Sequence, residues 1–309
     1  MSFAVHGDLA NHALPTAIAL CAIGSTHHRL DFLIGPGLAL DPTRMRIIAI
    51  DAIGNGLTTS PSNSTKQPGL QFPRFSIKDM VRSQKLLLEH LGINKRVIVV
   101  GASMGGMQAL RWGVDCQQAV KNIVALTPMA KTSAWAASVN DAARESLLRR
   151  LGDFDNSKSY APDIWRGWIP IMQLLAMSNP KNVDAQFKDA AEMQAWLEAR
   201  TTWWKTQRFD PIDWIYQSWA YDSHDVGASN LYEGDTRRAL QSITAPTLIM
   251  TPALDLYNPI GSAQFAASCI PNCELHELTT DHGHLAASSA DPESASQINL
   301  KIRRFLTGA

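Results

Sequence analysis

Lys95–Leu110, KRVIVVGASMGGMQAL, is the stretch on which the fold is decided. Val97, Ile98, Val99 and Val100 form a short apolar β-branched run that reads as a buried strand. It leads into Gly101-Ala-Ser103-Met-Gly105 and then into helix-favouring residues. This is G-x-S-x-G between a strand and a helix, the context in which that pattern carries chemistry. Ser103 is expected on a tight, strained turn that leaves its Oγ exposed, with the glycines letting neighbouring backbone pass close. The backbone N–H of Met104, at the start of the helix, is then placed to bind a developing oxyanion.

The rest of the chain extends this strand in both directions. Thr16–Ile23 (TAIALCAI) and Arg46–Asp51 (RIIAID) read as buried parallel strands before it, and Lys121–Leu126 (KNIVAL) as one after it. GNGLTTSPSNSTKQPGLQFPRF, rich in Gly, Pro, Ser and Asn, reads as a long surface loop. Ser76 and Asp79 resemble a capping box opening a helix with Met80, Leu87, Leu88 and Leu91 on its apolar side, stopped by Gly92. From about residue 128 to residue 240 strand signals fade, helical stretches such as Val183–Arg200 take over, and eight of the nine tryptophans occur. We read 1–127 and 241–309 as two parts of one core, and 128–240 as a helical insertion over the site. Its large aromatics suit a mostly apolar pocket. Strands resume at Ala245–Thr251 and Glu274–Leu278, and Pro292–Phe305 closes the chain as an amphipathic helix.

Alternating strands and helices imply an α/β fold, a mostly parallel doubly wound sheet whose reactive groups lie in loops beyond the carboxyl ends of its strands. Ser103, Asp255 and His284 all fall in such loops. A serine needs a histidine to take its proton, and that histidine needs a carboxylate to fix its tautomer. The order Ser103, Asp255, His284 is that of α/β-hydrolases. His282 competes for the base role; His284 is preferred because Gly283 precedes it and Leu-Ala-Ala follows. The second oxyanion donor is expected after the first strand, at Ile23, with Ala22 as its rival.

Composition narrows the partners. Lys+Arg and Asp+Glu both total 28, without long runs of either sign, which argues against nucleic acid or anionic membranes. The leading MSFAVHGDLANHALP has no basic n-region, and no stretch reaches the ~18 consecutive apolar residues of a membrane helix, so the expected location is cytoplasmic. Cys21, Cys116, Cys269 and Cys273 lack paired C-x-x-C spacing and are read as reduced thiols. The adjacent His27 and His28 have no accompanying ligand cluster, and neither a metal nor a cofactor is expected.

The segments IGPGLALDPTRMRIIAIDAIGNGLTTSPSN, FSIKDMVRSQKLLLEHLGI and GASMGGMQALRW together resemble the homoserine O-acetyltransferase family of the α/β-hydrolase fold, including its esterase-like relatives. The resemblance continues in RFDPIDWIYQSWAYDSHDVG and ITAPTLIMTPALDLYNP. It implies Ser103 as nucleophile, Asp255 as orienting acid, His284 as base, Ile23 and Met104 as oxyanion donors, and a lid through which the family commonly dimerises. Three departures bear on substrate. Leu285 stands where the family has an aspartate for the acceptor's amino group, and Trp219 where it has a basic residue for the carboxylate. The leading segment is also short, so the first strand of the usual fold is expected to be missing. Neither Leu285 nor Trp219 can pair a charge, so the expected occupant of the pocket is an apolar acyl or alcohol group. The resulting expectation is a serine hydrolase of a small carboxylic ester, with acyl-CoA-dependent transfer to an acceptor other than homoserine as the alternative.

Overall fold

The computed structural model describes residues 1–151, 160–161, 163–176, 178–207 and 209–308. Its centre is a seven-stranded sheet in the order β1-β3-β2-β4-β5-β6-β7. The strands are β1 (Phe3–His6), β2 (Thr16–Leu20), β3 (Arg46–Ile50), β4 (Val97–Ala102), β5 (Val120–Leu126), β6 (Thr247–Pro252) and β7 (Cys273–Leu278). All pairings are parallel except β1 with β3. β2, β3, β4 and β6 are buried at every position, which is why they read as unbroken apolar runs and not as alternating ones.

The helices α1 (Ile77–His90), α2 (Met104–Asp115) and α8 (Ile260–Cys269), and the closing α9 (Pro292–Thr307), flank the sheet. α1 starts with the expected capping box: the Ser76 side chain accepts from Asp79 N–H and the Asp79 carboxylate accepts from Ser76 N–H. Val81, Leu87 and Leu88 of α1 and Leu110, Trp112 and Val114 of α2 form one apolar layer with Ile18, Val97, Val99 and Ile123 of the sheet. On the opposite face Leu30, Leu33, Ile298 and Ile302 pack against Ile47, Ile98, Val124 and Leu248.

The chain leaves β2 toward β3 on one side and returns to β4 on the other. The two loops beyond the carboxyl ends of β2 and β4 therefore part there, opening the crevice in which open parallel sheets place their ligands. Between β5 and β6 the chain forms α3 (Ala134–Leu148), the segment Pro170–Ala176, α4 (Pro180–Gln186), α5 (Ala190–Thr206) and α6 (Pro211–Asp222), and Met172, Arg200 and Trp214 of these stretches line the cavity over Ser103. Trp165, Trp168 and Trp214 form the centre of their own apolar cluster, which reaches down to Ile23, Met104 and Met107 of the core.

Two expectations change. The leading segment does supply a strand, β1, but at the antiparallel edge, where it is short and half-exposed. The helix expected over 183–200 is two helices, α4 and α5, broken where Asp189 caps Glu192 N–H. Toward the end of the stretch 128–240 the chain rejoins the packing of the sheet. Val226, Tyr232 and, in α7 (Thr236–Gln241), Ala239 and Leu240 belong to the apolar layer against the sheet.

Candidate active site

Ser103 lies between β4 and α2 with φ 57° and ψ −122°, a left-handed conformation that costs a non-glycine residue about 1–3 kcal/mol. The surroundings hold it there: its N–H donates to Leu126 O (2.9 Å) and its carbonyl accepts from Met107 N–H (3.0 Å). The flanking glycines are required by close approach. A Cβ on Gly101 would sit 2.1 Å from Gly105 O, and one on Gly105 would sit 2.3 Å from Leu20 O at the end of β2.

The turn delivers the serine to a histidine. His284 Nε2 is 2.9 Å from Ser103 Oγ, and His284 Nδ1 is 2.7 Å from Asp255 Oδ2. The carboxylate is itself oriented, because its Oδ1 accepts from the backbone N–H of Tyr257 (2.9 Å) and of Asn258 (2.8 Å), leaving Oδ2 for the imidazole. All three side chains are buried. The ring of Tyr257 packs edge-on against His284 at 5.1 Å and stacks on Tyr221, whose hydroxyl lies beside Ser103 and donates to Asn258 Oδ1 (2.5 Å). Burial pushes both tyrosine hydroxyls up from their ordinary pKa, so they remain protonated donors at any working pH. His282, the rival base, is on the same loop with its N–H on Thr280 Oγ1, and its ring contributes to the field at Asp291.

Met104 opens α2, so its N–H belongs to the first turn, where no intrahelical acceptor exists. Neither it nor Ile23 N–H finds an acceptor among the described residues. The two segments carrying these groups are tied together by Gln108, whose Nε2 donates to Cys21 O and Met104 O (both 3.1 Å). Gln84 in turn donates to Gln108 Oε1 and accepts from Trp112 Nε1. On the insertion side, Gly24 N–H donates to Gln217 Oε1 of α6 (2.9 Å), which pins the loop after β2 from above.

A cavity of about 350 Å³ opens over Ser103 and His284. Ile23, Leu285, Trp168, Trp204 and Trp214 supply apolar lining, and Arg29, Arg200 and Gln173 supply polar lining. Leu285 is therefore at the cavity, as expected, whereas Trp219 is not among its lining residues. Trp219 is half-buried under the guanidinium of Arg74, with its ring against Tyr216 at 5.1 Å. The reason is helical phase: Trp214 and Trp219 are five residues apart on α6, hence about 140° apart around its axis, and only Trp214 faces the site. The expectation of a pocket without carboxylate-binding charge is corrected as well, since two guanidinium groups line it. No local pattern marks Arg29 or Arg200, which are brought together only by the closure of the insertion. Among the described residues, no three His, Cys, Asp or Glu side chains gather where they could hold a metal ion, and no helix is long and apolar enough to cross a membrane.

A serine at a strained strand-to-helix turn, a histidine and aspartate following it in the chain, and a mostly parallel sheet beneath define an α/β-hydrolase; the model of that fold matches residues 11–290. Within this class the chain belongs to the homoserine O-acetyltransferase family. It is 30% identical over 285 residues to the homoserine O-acetyltransferase of Nostoc punctiforme, covering 82% of this chain and 75% of that one. In structure it is similar to the acetyl esterase MekB, with a TM-score of 0.87, 25% identity and coverage of 99% of this chain and 90% of that one. The homoserine O-acetyltransferase of Bacillus anthracis shares the fold, with a TM-score of 0.83 at 19% identity over 98% of this chain and 91% of that one.

Proposed function

We propose that this protein is a serine hydrolase that cleaves a small carboxylic ester through an acyl-Ser103 intermediate. The observation that carries the reading is the hydrogen-bonded run from Asp255 Oδ2 through His284 to Ser103 Oγ at the floor of a cavity about 350 Å³ in volume. Ser103 Oγ attacks the ester carbonyl as His284 Nε2 takes its proton, and Asp255 steadies the imidazolium. The carbonyl oxygen becomes an oxyanion received by the N–H groups of Met104 and Ile23. Collapse breaks the bond to the alkoxide, which leaves with the proton from His284. Water, deprotonated by the same imidazole, then attacks the acyl-serine; the second tetrahedral intermediate expels Ser103, which regains its proton.

Transfer of the acyl group from acyl-CoA to an acceptor other than homoserine is the second reading, supported by the named activity of the curated relatives. Hydrolysis is favoured over it because no Asp or Glu among the described residues lines the cavity, where Leu285 adjoins the base, so an amino-acid acceptor would bury its ammonium unpaired there. A homodimer through the lid, read out by light scattering, belongs to the same proposal. The covalent step is tested by reacting the protein with a fluorophosphonate and measuring intact and peptide masses. One adduct, on Ser103, absent in Ser103→Ala, is expected. An unmodified Ser103 would leave a non-catalytic binding protein on this fold as the better reading.

A further inference from the structure

The cavity over Ser103 is chemically one-sided. Arg29 and Arg200 both line it, and among the described residues no Asp or Glu does. Arg29 makes no side-chain hydrogen bond or ion pair with any described residue; the nearby carboxylates are engaged, Asp51 by His27 and Asn55, and Asp31 by His28. Among the described residues Arg200 makes one side-chain hydrogen bond, Nη2 to the neutral Gln173 Oε1 at 3.3 Å, and lies over the rings of Trp203 and Trp196. Its Nε finds no acceptor among the described residues, nor do the buried indole nitrogens of Trp168 and Trp204, residues that line the same cavity. Two guanidinium groups around one space, with no carboxylate among its described lining residues, leave an excess of positive charge there. Half-buried guanidinium groups with no carboxylate beside them can pair an anionic ligand, so this excess marks where such a group binds. Burial lowers the pKa of Arg29 to about 10, yet the group stays charged at neutral pH.

Resting on the hydrolase reading above, we propose that the substrate is an ester bearing a single carboxylate and no amino group, with that carboxylate held by Arg29 and Arg200 while Ser103 attacks the ester carbonyl. Guanidinium forks suit a planar carboxylate. A zwitterionic amino acid is disfavoured by the same lining, because no carboxylate among the described lining residues could pair its ammonium beside the two guanidinium groups. The carboxylate belongs either to the acyl part, a half-ester of a dicarboxylic acid, or to the alcohol part, an acylated hydroxy acid. In both, ester and water give a carboxylic acid and an alcohol, with no further reactant.

The test compares charged and neutral pairs at pH 7 by titrating the acid released: monoethyl glutarate against ethyl pentanoate for the acyl arm, 3-acetoxypropanoate against propyl acetate for the alcohol arm. In one arm the anion is expected to exceed its neutral partner at least tenfold in kcat/KM. Arg29→Met and Arg200→Met are each expected to reduce that ratio about 10- to 100-fold, and Arg29→Lys to keep part of it. Binding of the same esters to Ser103→Ala, followed by calorimetry, separates recognition from turnover and is expected to favour the anion. Neutral esters preferred in both arms, or a preference that neither arginine substitution moves, would overturn the proposal. If wild type hydrolyses only the neutral esters, the carboxylate site fails and the hydrolase stands. If Ser103→Ala binds an anionic ester in an Arg29-dependent way but wild type cleaves none, the carboxylate site stands and the hydrolase fails.

Discussion

Adding one methyl group at Gly105 should damage stability and catalysis together. Its Cβ would lie 2.3 Å from Leu20 O, 3.0 Å from Leu20 C and 3.1 Å from Cys21 O, all backbone atoms at the end of a buried strand. No side-chain rotation can relieve the contact, so α2 and β2 must separate by about 1 Å to restore ordinary packing distance, an overpacking cost of about 1–3 kcal/mol. At about 2 °C per kcal/mol for a chain of this size, Gly105→Ala should lower the melting temperature by about 2–6 °C. The displacement acts on the two segments that carry Met104 N–H and Ile23 N–H, and a misplacement of that size costs about 100-fold in rate. The assay is kcat/KM on a short-chain nitrophenyl ester beside a thermal melt. Gly261→Ala, on α8 with nothing within 4 Å of the added carbon, is the control and should be neutral or stabilising by up to about 1 kcal/mol. A Gly105→Ala protein with wild-type melting temperature and activity within threefold of wild type would refute the close-approach argument.

Asp255→Asn keeps an acceptor for Tyr257 and Asn258 N–H but turns an amide donor toward His284 Nδ1, favouring the tautomer that cannot accept from Ser103. The folded protein should lose about 10³–10⁴ in kcat, measured with circular dichroism as the control for structure. His284→Ala should abolish nearly all esterase activity and His282→Ala should retain most of it; equal losses would reassign the base. Acid stability should depend on His224, whose pKa is lowered to about 3, first by burial and then by the Arg111 guanidinium. The unfolded chain binds this proton near pH 6.5, so stability should fall as pH drops from there toward 3, by about 1.4 kcal/mol per pH unit from this group. Asp225 and Asp291, held below the ordinary carboxylate value, contribute only below about pH 4. His224→Gln should therefore flatten urea-derived stability between pH 6 and 4.5; an unchanged slope there would contradict the assignment.

What could be read in advance was whatever a short stretch of sequence encodes by itself. The strand before Ser103, the glycines around it and the later Asp255 and His284 carry the fold's motif, and the capping box at Ser76 states where α1 begins. β1 escaped because four half-exposed residues at a sheet edge show no sustained apolar run. The break between α4 and α5 had a readable cap in Asp189, overridden by the apolar residues on either side. Trp219 was assigned to the pocket from position in a motif without its helical phase, which gives the site to Trp214. Arg29 and Arg200 are 171 positions apart in the sequence, and their shared cavity exists only in three dimensions. Backbone donors such as Ile23 N–H have no side chain to announce them.

The fate of the acyl group tests the account most directly. Purified protein is supplied in turn with acetyl-CoA and nitrophenyl acetate, with and without homoserine, while free acetate and acetylated acceptor are quantified together. The account predicts acetate released from the nitrophenyl ester at a rate indifferent to homoserine, and no such release in Ser103→Ala. Acetyl-homoserine accumulating at the expense of acetate would contradict it, because the cavity would then accommodate an ammonium that none of its described lining residues can pair.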